Sequence, residues 1–158
     1  MNPPTLKLKI VSGGQTGADR AGLDWAIENG ISHGGWCPRG RRAEDGSIDA
    51  RYQLKETPSS NYPQRTEWNV RDSDGTVIFS IADKLSGGSL KTLELAVKHR
   101  RPHLHLSAAA KENAASELKK WIEQNKIQVL NVAGPRASKE PEVAGFVASI
   151  LNQGLTKK

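Results

Sequence analysis

The sequence predicts an α/β protein with a mostly parallel sheet and helices on both faces. Two observations predict it. Short apolar, β-branched runs alternate with stretches of helical period. Glycine-rich segments also stand directly between a strand and the helix that follows, at Gly13-Gly14-Gln15-Thr16-Gly17 and again at Ser86-Gly87-Gly88-Ser89. The chain has 158 residues, which fits one domain. Its core is expected over residues 5–152, with a frayed tail at 153–158.

Residues 6–12 form the first expected strand, and residues 18–29 the first helix. On that helix Ala18, Ala21, Gly22, Trp25 and Ala26 share a face, and Gly30 stops it. A short strand follows at 35–37, then an irregular segment from 38 to 61 with a short strand at 54–57. Residues 62–73 read as a helix that tolerates Pro63 in its first turn, and Asp74-Gly75 breaks it. Residues 76–81 are a buried strand, 89–100 a helix with Leu90, Leu93, Ala96 and Val97 inward, and 103–106 a strand. An amphipathic helix at 111–125, a strand at 128–132 and a last helix at 140–151 complete the order.

Parallel crossovers are right-handed, so the strands send their C-terminal ends to one edge. The segments 13–19, 38–45, 82–89 and 133–138 follow strands and are rich in Gly, Arg, Ser or Asp. All four are expected to converge on one crevice.

Composition narrows the partners. The net charge is +6, which favours a negatively charged ligand. Part of it has a local explanation, since Lys98-His99-Arg100-Arg101 closes a helix where cations suit the negative dipole end. No nucleic-acid motif is visible and aromatics do not interleave with a basic strand, so nucleic acid is not the expected partner. No long chargeless apolar run suggests a membrane span. Lys7 and Lys9 interrupt the first apolar stretch, against a leader. The one cysteine, Cys37, precludes an intrachain disulfide, and a cytoplasmic location is expected.

The first glycine loop lacks the G-x-G-x-x-G spacing of dinucleotide sites and the Lys-Ser/Thr ending of a phosphate-binding ATPase loop. It still suits an anion, because glycine lets backbone N–H groups approach and a helix N-terminus favours negative charge. Gly13, Gly14, Gln15, Thr16 and Gly17 are therefore binding candidates, and a side chain at Gly14 is expected to block the approach. Asp19 suits a helix cap, a ribose hydroxyl or a metal. Ser86, Gly87, Gly88, Ser89 and Thr92 make a second anion cradle at a helix start. Glu94 could orient a ribose or serve as an acid/base. Arg39, Arg41 and Arg42 follow a strand and suit an oxyanion through bidentate guanidinium contacts. Arg136 is placed to reach the same anion. Arg65, Asn69 and Asp72 fall on one helix face that either meets solvent or walls the crevice. His103 and His105 share a strand face without an evident third ligand, and Cys37 reads as a packed strand residue, so no metal site is expected.

Four longer stretches in order carry a resemblance. They are Val11-Ser12-Gly13-Gly14-Gln15-Thr16-Gly17-Ala18-Asp19-Arg20, the run from Gly35-Trp36-Cys37 to Glu44-Asp45-Gly46, the run from Arg65-Thr66-Glu67 to Asp74-Gly75, and Leu130-Asn131-Val132-Ala133-Gly134-Pro135-Arg136. Together they span nearly the whole chain, which resembles the molybdenum cofactor carrier family. That resemblance implies a Rossmann-like fold and a homodimer or homotetramer. It also implies kinship with the lysine-decarboxylase-like superfamily that includes cytokinin-activating phosphoribohydrolases. Their Pro-Gly-Gly-x-Gly-Thr-x-x-Glu motif corresponds here to residues 86–94. Ser86 stands where the motif has proline and the Gly-Thr step is changed, which weighs against their hydrolase activity.

The expected function is a carrier that holds the molybdenum cofactor (molybdopterin), or a nucleotide, at the strand ends, with molybdoenzymes as its recipients. The alternatives are a nucleotide hydrolase using Glu94, assisted by Asp19 or Arg42, and a non-catalytic nucleotide sensor.

Overall fold

A computed structural model describes residues 7–155. Five parallel strands form the central sheet: β1 (Lys9–Val11), β2 (Ser32–Gly34), β7 (Gly75–Ser80), β8 (His103–Ser107) and β9 (Val129–Ala133). Their spatial order is β2-β1-β9-β7-β8. Four shorter strands lie between the second and the seventh: β3 (Trp36–Cys37), β4 (Arg42–Ala43), β5 (Gly46–Ser47) and β6 (Lys55–Glu56). The helices are α1 (Ala18–Glu28), α2 (Tyr62–Arg71), α3 (Gly87–Lys98), α4 (Lys111–Gln124) and α5 (Val143–Leu155).

The path obeys one handedness. Steps toward β2, from β1 to β2 and from β8 to β9, carry α1 and α4, and these helices pack on one face together with α5. Steps the other way, from β2 to β7 and from β7 to β8, carry α2 and α3, which pack against each other on the opposite face. β7 is an interior strand, buried along all six residues with the apolar run Val77-Ile78-Phe79 at its middle, as suits a strand covered on both faces. The main core joins Ile10, Val77, Phe79, Leu130 and Val132 of the sheet to Ala114 and Leu118 of α4 and to Val143, Val147, Ile150 and Leu151 of α5.

The expected elements appear with small shifts at their ends, and two differ in kind. The sheet's edge strand is residues 32–34, not 35–37. Ile10 pairs with His33, and the chain then leaves the sheet at Gly35, whose φ is +122°. A Cβ at Gly35 would lie 2.4 Å from the carbonyl oxygen of Ser12, so only glycine turns here. Residues 36–37 instead pair in parallel with β6. Within the irregular segment, β4 and β5 form an antiparallel hairpin that carries Glu44 and Asp45 at its tip. The expected start at Leu6 lies outside the described residues, as do residues 156–158 of the tail expected to fray at 153–158. Residues 153–155 instead continue α5, because Leu155 is buried in the core.

Candidate functional site

β1 sends its loop to one face of the sheet and β7 sends its loop to the other, with β9 between them. Ligand crevices in open α/β sheets form where the path reverses in this way. A cleft of about 240 Å³ lies there. It is walled by Gly13, Gln15 and Asp19 from the first loop and helix, and by Tyr62, Arg65, Thr66 and Asn69 of α2. Gly87, Gly88, Ser89, Lys91 and Thr92 of α3 and residues 131–136 with Lys139 complete it.

The helix start at α3 carries the positive potential. Ser86 occupies the N-cap position without a side-chain cap bond. Its hydroxyl instead accepts a hydrogen bond from Lys139 Nζ at 2.7 Å. No acidic residue sits in the first turn. A cation therefore stands at the positive end of a helix dipole, the arrangement that the dipole disfavours. Gly87, at φ +53°, lets the turn pass close to Lys139. Gly88 has open space around it. Thr92 faces inward, but its hydroxyl donates to the Gly88 carbonyl at 2.9 Å.

The first glycine loop is differently employed. Gly14 N–H donates to Ser12 Oγ at 3.3 Å and Thr16 N–H to Gln15 Oε1 at 3.1 Å. Gly14, Thr16 and Gly17 do not line the cleft. A Cβ at Gly14 would meet Leu54 and Ile48, so this glycine faces the apolar packing behind the loop. Thr16 donates its hydroxyl to Glu44 and accepts the Ala137 N–H at 3.1 Å, bracing the loop after β9. Gln15 also receives the Glu44 N–H at 2.8 Å, which holds the hairpin tip.

Asp19 is buried at the cleft wall. One of its oxygens lies 3.5 Å from Arg65 Nη1. Burial pushes its carboxyl up to about 6, although Arg65 and the backbone N–H groups of Gln15 and Gly13 favour the charged form. Arg65 Nη1 also donates to the Gly13 carbonyl at 3.0 Å, and Nε to Thr66 Oγ1 at 3.0 Å. A Cβ on Gly13 would collide with this guanidinium at 2.2 Å, so Gly13 makes room for Arg65.

The arginine cluster does not reach the cleft. Arg41 donates to the carbonyls of Ile48 at 3.0 Å and of Asp49 and Tyr52 at 2.8 Å, closing its own loop. Arg39 is exposed. Arg42 holds the Ser60 carbonyl at 2.7 Å and lies 5.5 Å from the Tyr62 ring, so it meets the cleft only through that ring. The reason is that the segment after β3 folds behind the first loop rather than over the sheet edge. Arg41→Ala is expected to cost about 1–3 kcal/mol of stability, from its lost carbonyl partners. Anion affinity should stay unchanged. Urea unfolding beside a phosphate titration checks both, and lost affinity at unchanged stability would restore Arg41 to the site.

Glu94 is exposed and outside the cleft. It lies two residues beyond Thr92, about 200° around the helix, so the two face opposite ways. Asp72 turns away as well and accepts Trp36 Nε1–H at 2.9 Å. From the same helix stripe, Arg65 and Asn69 do wall the cleft. The Asn69 amide is spent on both backbone groups of Trp36, at 2.8 and 2.9 Å. Tyr62 and Lys139 were not among the expected residues. Tyr62 shares the face of Arg65 and Asn69 by helical spacing, and Lys139 lies one residue past the segment 133–138.

Fold and site together define an α/β protein with a cationic strand-end cleft. Comparison with known proteins places it further. Residues 10–155 match the circularly permutated YpsA SLOG family (cpYpsA), and the chain belongs to that family. A crystal structure from Syntrophus aciditrophicus SB, named "putative molybdenum carrier protein", is 47% identical with a TM-score of 0.92. The match covers 99% of this chain and 98% of that one. A search of curated proteins found no match. Among the described residues, no helix is long and apolar enough to cross a membrane.

Proposed function

We propose that the cleft holds a small phosphate-bearing ligand for transport, with the phosphate on the N-terminus of α3. The observation that carries this reading is Lys139, set against an uncapped helix start beside Gly87. Backbone N–H groups and an ammonium converge there, and an anion between them relieves their repulsion. Lys91 and Arg136 add positive charge to the same cleft. By kinship with the protein named a molybdenum carrier, the cargo is the molybdenum cofactor or a related pterin phosphate or nucleotide. The donors that line the cleft suit the phosphate and the polar ring of such a ligand.

Lys139→Ala is expected to lower affinity for inorganic phosphate about tenfold. It should also raise stability by about 0.3–1 kcal/mol, because a misplaced cation leaves the helix start. Isothermal titration and thermal melting read the two effects. Unchanged phosphate affinity would remove the α3 cradle from the site.

One observation favours a second reading. Asp19, with a carboxyl near 6, faces the cleft and suits proton transfer to or from a ligand. A nucleotide hydrolase built on this cleft would use Asp19 rather than the exposed Glu94. Product analysis after incubation with nucleoside monophosphates separates the two, since a carrier retains its ligand intact.

A further inference from the structure

Among the described residues, Asp19 is the one carboxylate that lines the cleft, beside Arg65, Lys91, Arg136 and Lys139. An oxyanion drawn in by those cations meets its negative charge. Asp19 cannot withdraw, because its side chain is only 11% exposed and is fixed on the first turn of α1. Arg65 pairs with it at 3.5 Å and is held from closer approach by its bonds to Gly13 and Thr66 at 3.0 Å each. Arg65 from α2 and Arg20 from its own helix are the charged groups that act on it, with the N–H groups of Gln15 and Gly13 from the loop. A carboxylate offers about four acceptor sites. Arg65, Gln15 and Gly13 take up three of Asp19's, which leaves one for a hydrogen-bond donor or a proton supplied by the occupant.

We infer that Asp19 determines specificity in this cleft. It selects phosphomonoesters that carry a hydroxyl or N–H donor away from the phosphate, and admits a bare oxyanion only together with a proton. The inference rests on the anion-cleft reading above. It assigns the two ends of the ligand to different walls: the phosphate to α3 and Lys139, the donor to α1. A carrier built this way rejects free sulfate, which has no proton to offer at neutral pH, although its cations alone would bind it.

The test titrates inorganic sulfate and ribose 5-phosphate into the wild-type protein and Asp19→Asn by calorimetry. Sulfate stays a dianion across pH 5.5–7.5, so any pH dependence belongs to the protein. Wild-type affinity for sulfate is expected to rise by up to about tenfold per pH unit as pH falls from 7.5 toward 6, then to level off. In Asp19→Asn it should be tight and flat across that range. Ribose 5-phosphate, measured at pH 7.5, should bind Asp19→Asn about tenfold more weakly than wild type, having lost a charged acceptor. Opposite shifts for the two probes support the assignment. Shifts in the same direction, or a flat sulfate profile in the wild type, overturn it while leaving the cleft reading intact. No sulfate binding at pH 5.5 by either protein overturns the cleft reading itself. The wild-type profile needs no variant, so the inference stays exposed even if Asp19→Asn folds poorly.

Discussion

Gly17→Ala is expected to lose about 3–5 kcal/mol of stability and most anion affinity together. Gly17 precedes α1 with φ +82° and ψ −129°, a region that side chains rarely enter. Its missing Cβ matters as much as its torsions. A methyl there would stand 2.4 Å from the Pro135 carbonyl oxygen and 2.8 Å from the Ala137 nitrogen. Both belong to backbone that cannot turn aside. That carbonyl accepts the first N–H of α1 at 3.2 Å, and Ala137 N–H is held by Thr16. The variant must therefore push the loop after β9 away from the loop after β1. Arg136 and Lys139 move with it, which is why affinity should fall with stability. Gly46→Ala isolates the torsional share, because Gly46 has φ +111° and open space around it. Denaturant unfolding of both variants checks the argument. Equal losses would mean that the close approach at Gly17 contributes nothing.

Some parts of the fold and site are legible in the sequence and others arise only from tertiary contacts. Strands β7 and β9 are legible because covered parallel strands are rich in apolar, β-branched residues, here Val77-Ile78-Phe79 and Val129, Leu130 and Val132. The helix start at 86–89 was legible because glycines after a strand and before a helix have few other uses. The edge strand is not, because Ser32-His33-Gly34 carries no apolar run and is placed by backbone pairing with β1 and by contact with α1 and Gln53. Arg41 looked like an anion ligand because guanidinium suits oxyanions. Its actual partners are three carbonyls 7 to 11 residues away, brought close by a hairpin that no pattern announced. Glu94 failed on helical phase: the first turn of α3 faces the cleft, but two residues past Thr92 the helix has turned outward. Arg65 was visible as part of a polar stripe, yet only the structure shows it lying in the space that Gly13 leaves open.

Arg65→Met is expected to cost about 3–5 kcal/mol at pH 7.5, because it strands a buried carboxylate. Methionine keeps much of the stem, so the loss is chiefly electrostatic. Its pH dependence follows from Asp19. In the folded wild type the Asp19 carboxyl titrates at about 6, above its ordinary value of 3.8. A group whose folded pKa is raised contributes most below the unfolded value, and that contribution is lost as pH climbs through the folded one. Arg65 favours the charged form, so removing it moves the folded pKa higher and extends the loss past pH 6. The penalty of Arg65→Met should accordingly be smallest near pH 5, where Asp19 is already mostly protonated. What remains there is the lost bond to the Gly13 carbonyl, worth about 1 kcal/mol. Between pH 5 and 8 the penalty should grow, and Asp19→Asn in the same background should remove most of that growth. Urea unfolding of the two single variants and the double variant at pH 5, 6.5 and 8 measures it. A penalty that stays constant with pH would mean that Arg65 serves the Gly13 loop alone and that Asp19 draws its stability from the backbone. A penalty that grows and is cancelled by Asp19→Asn would identify one coupled pair that both holds the first loop to α2 and sets the charge of the cleft.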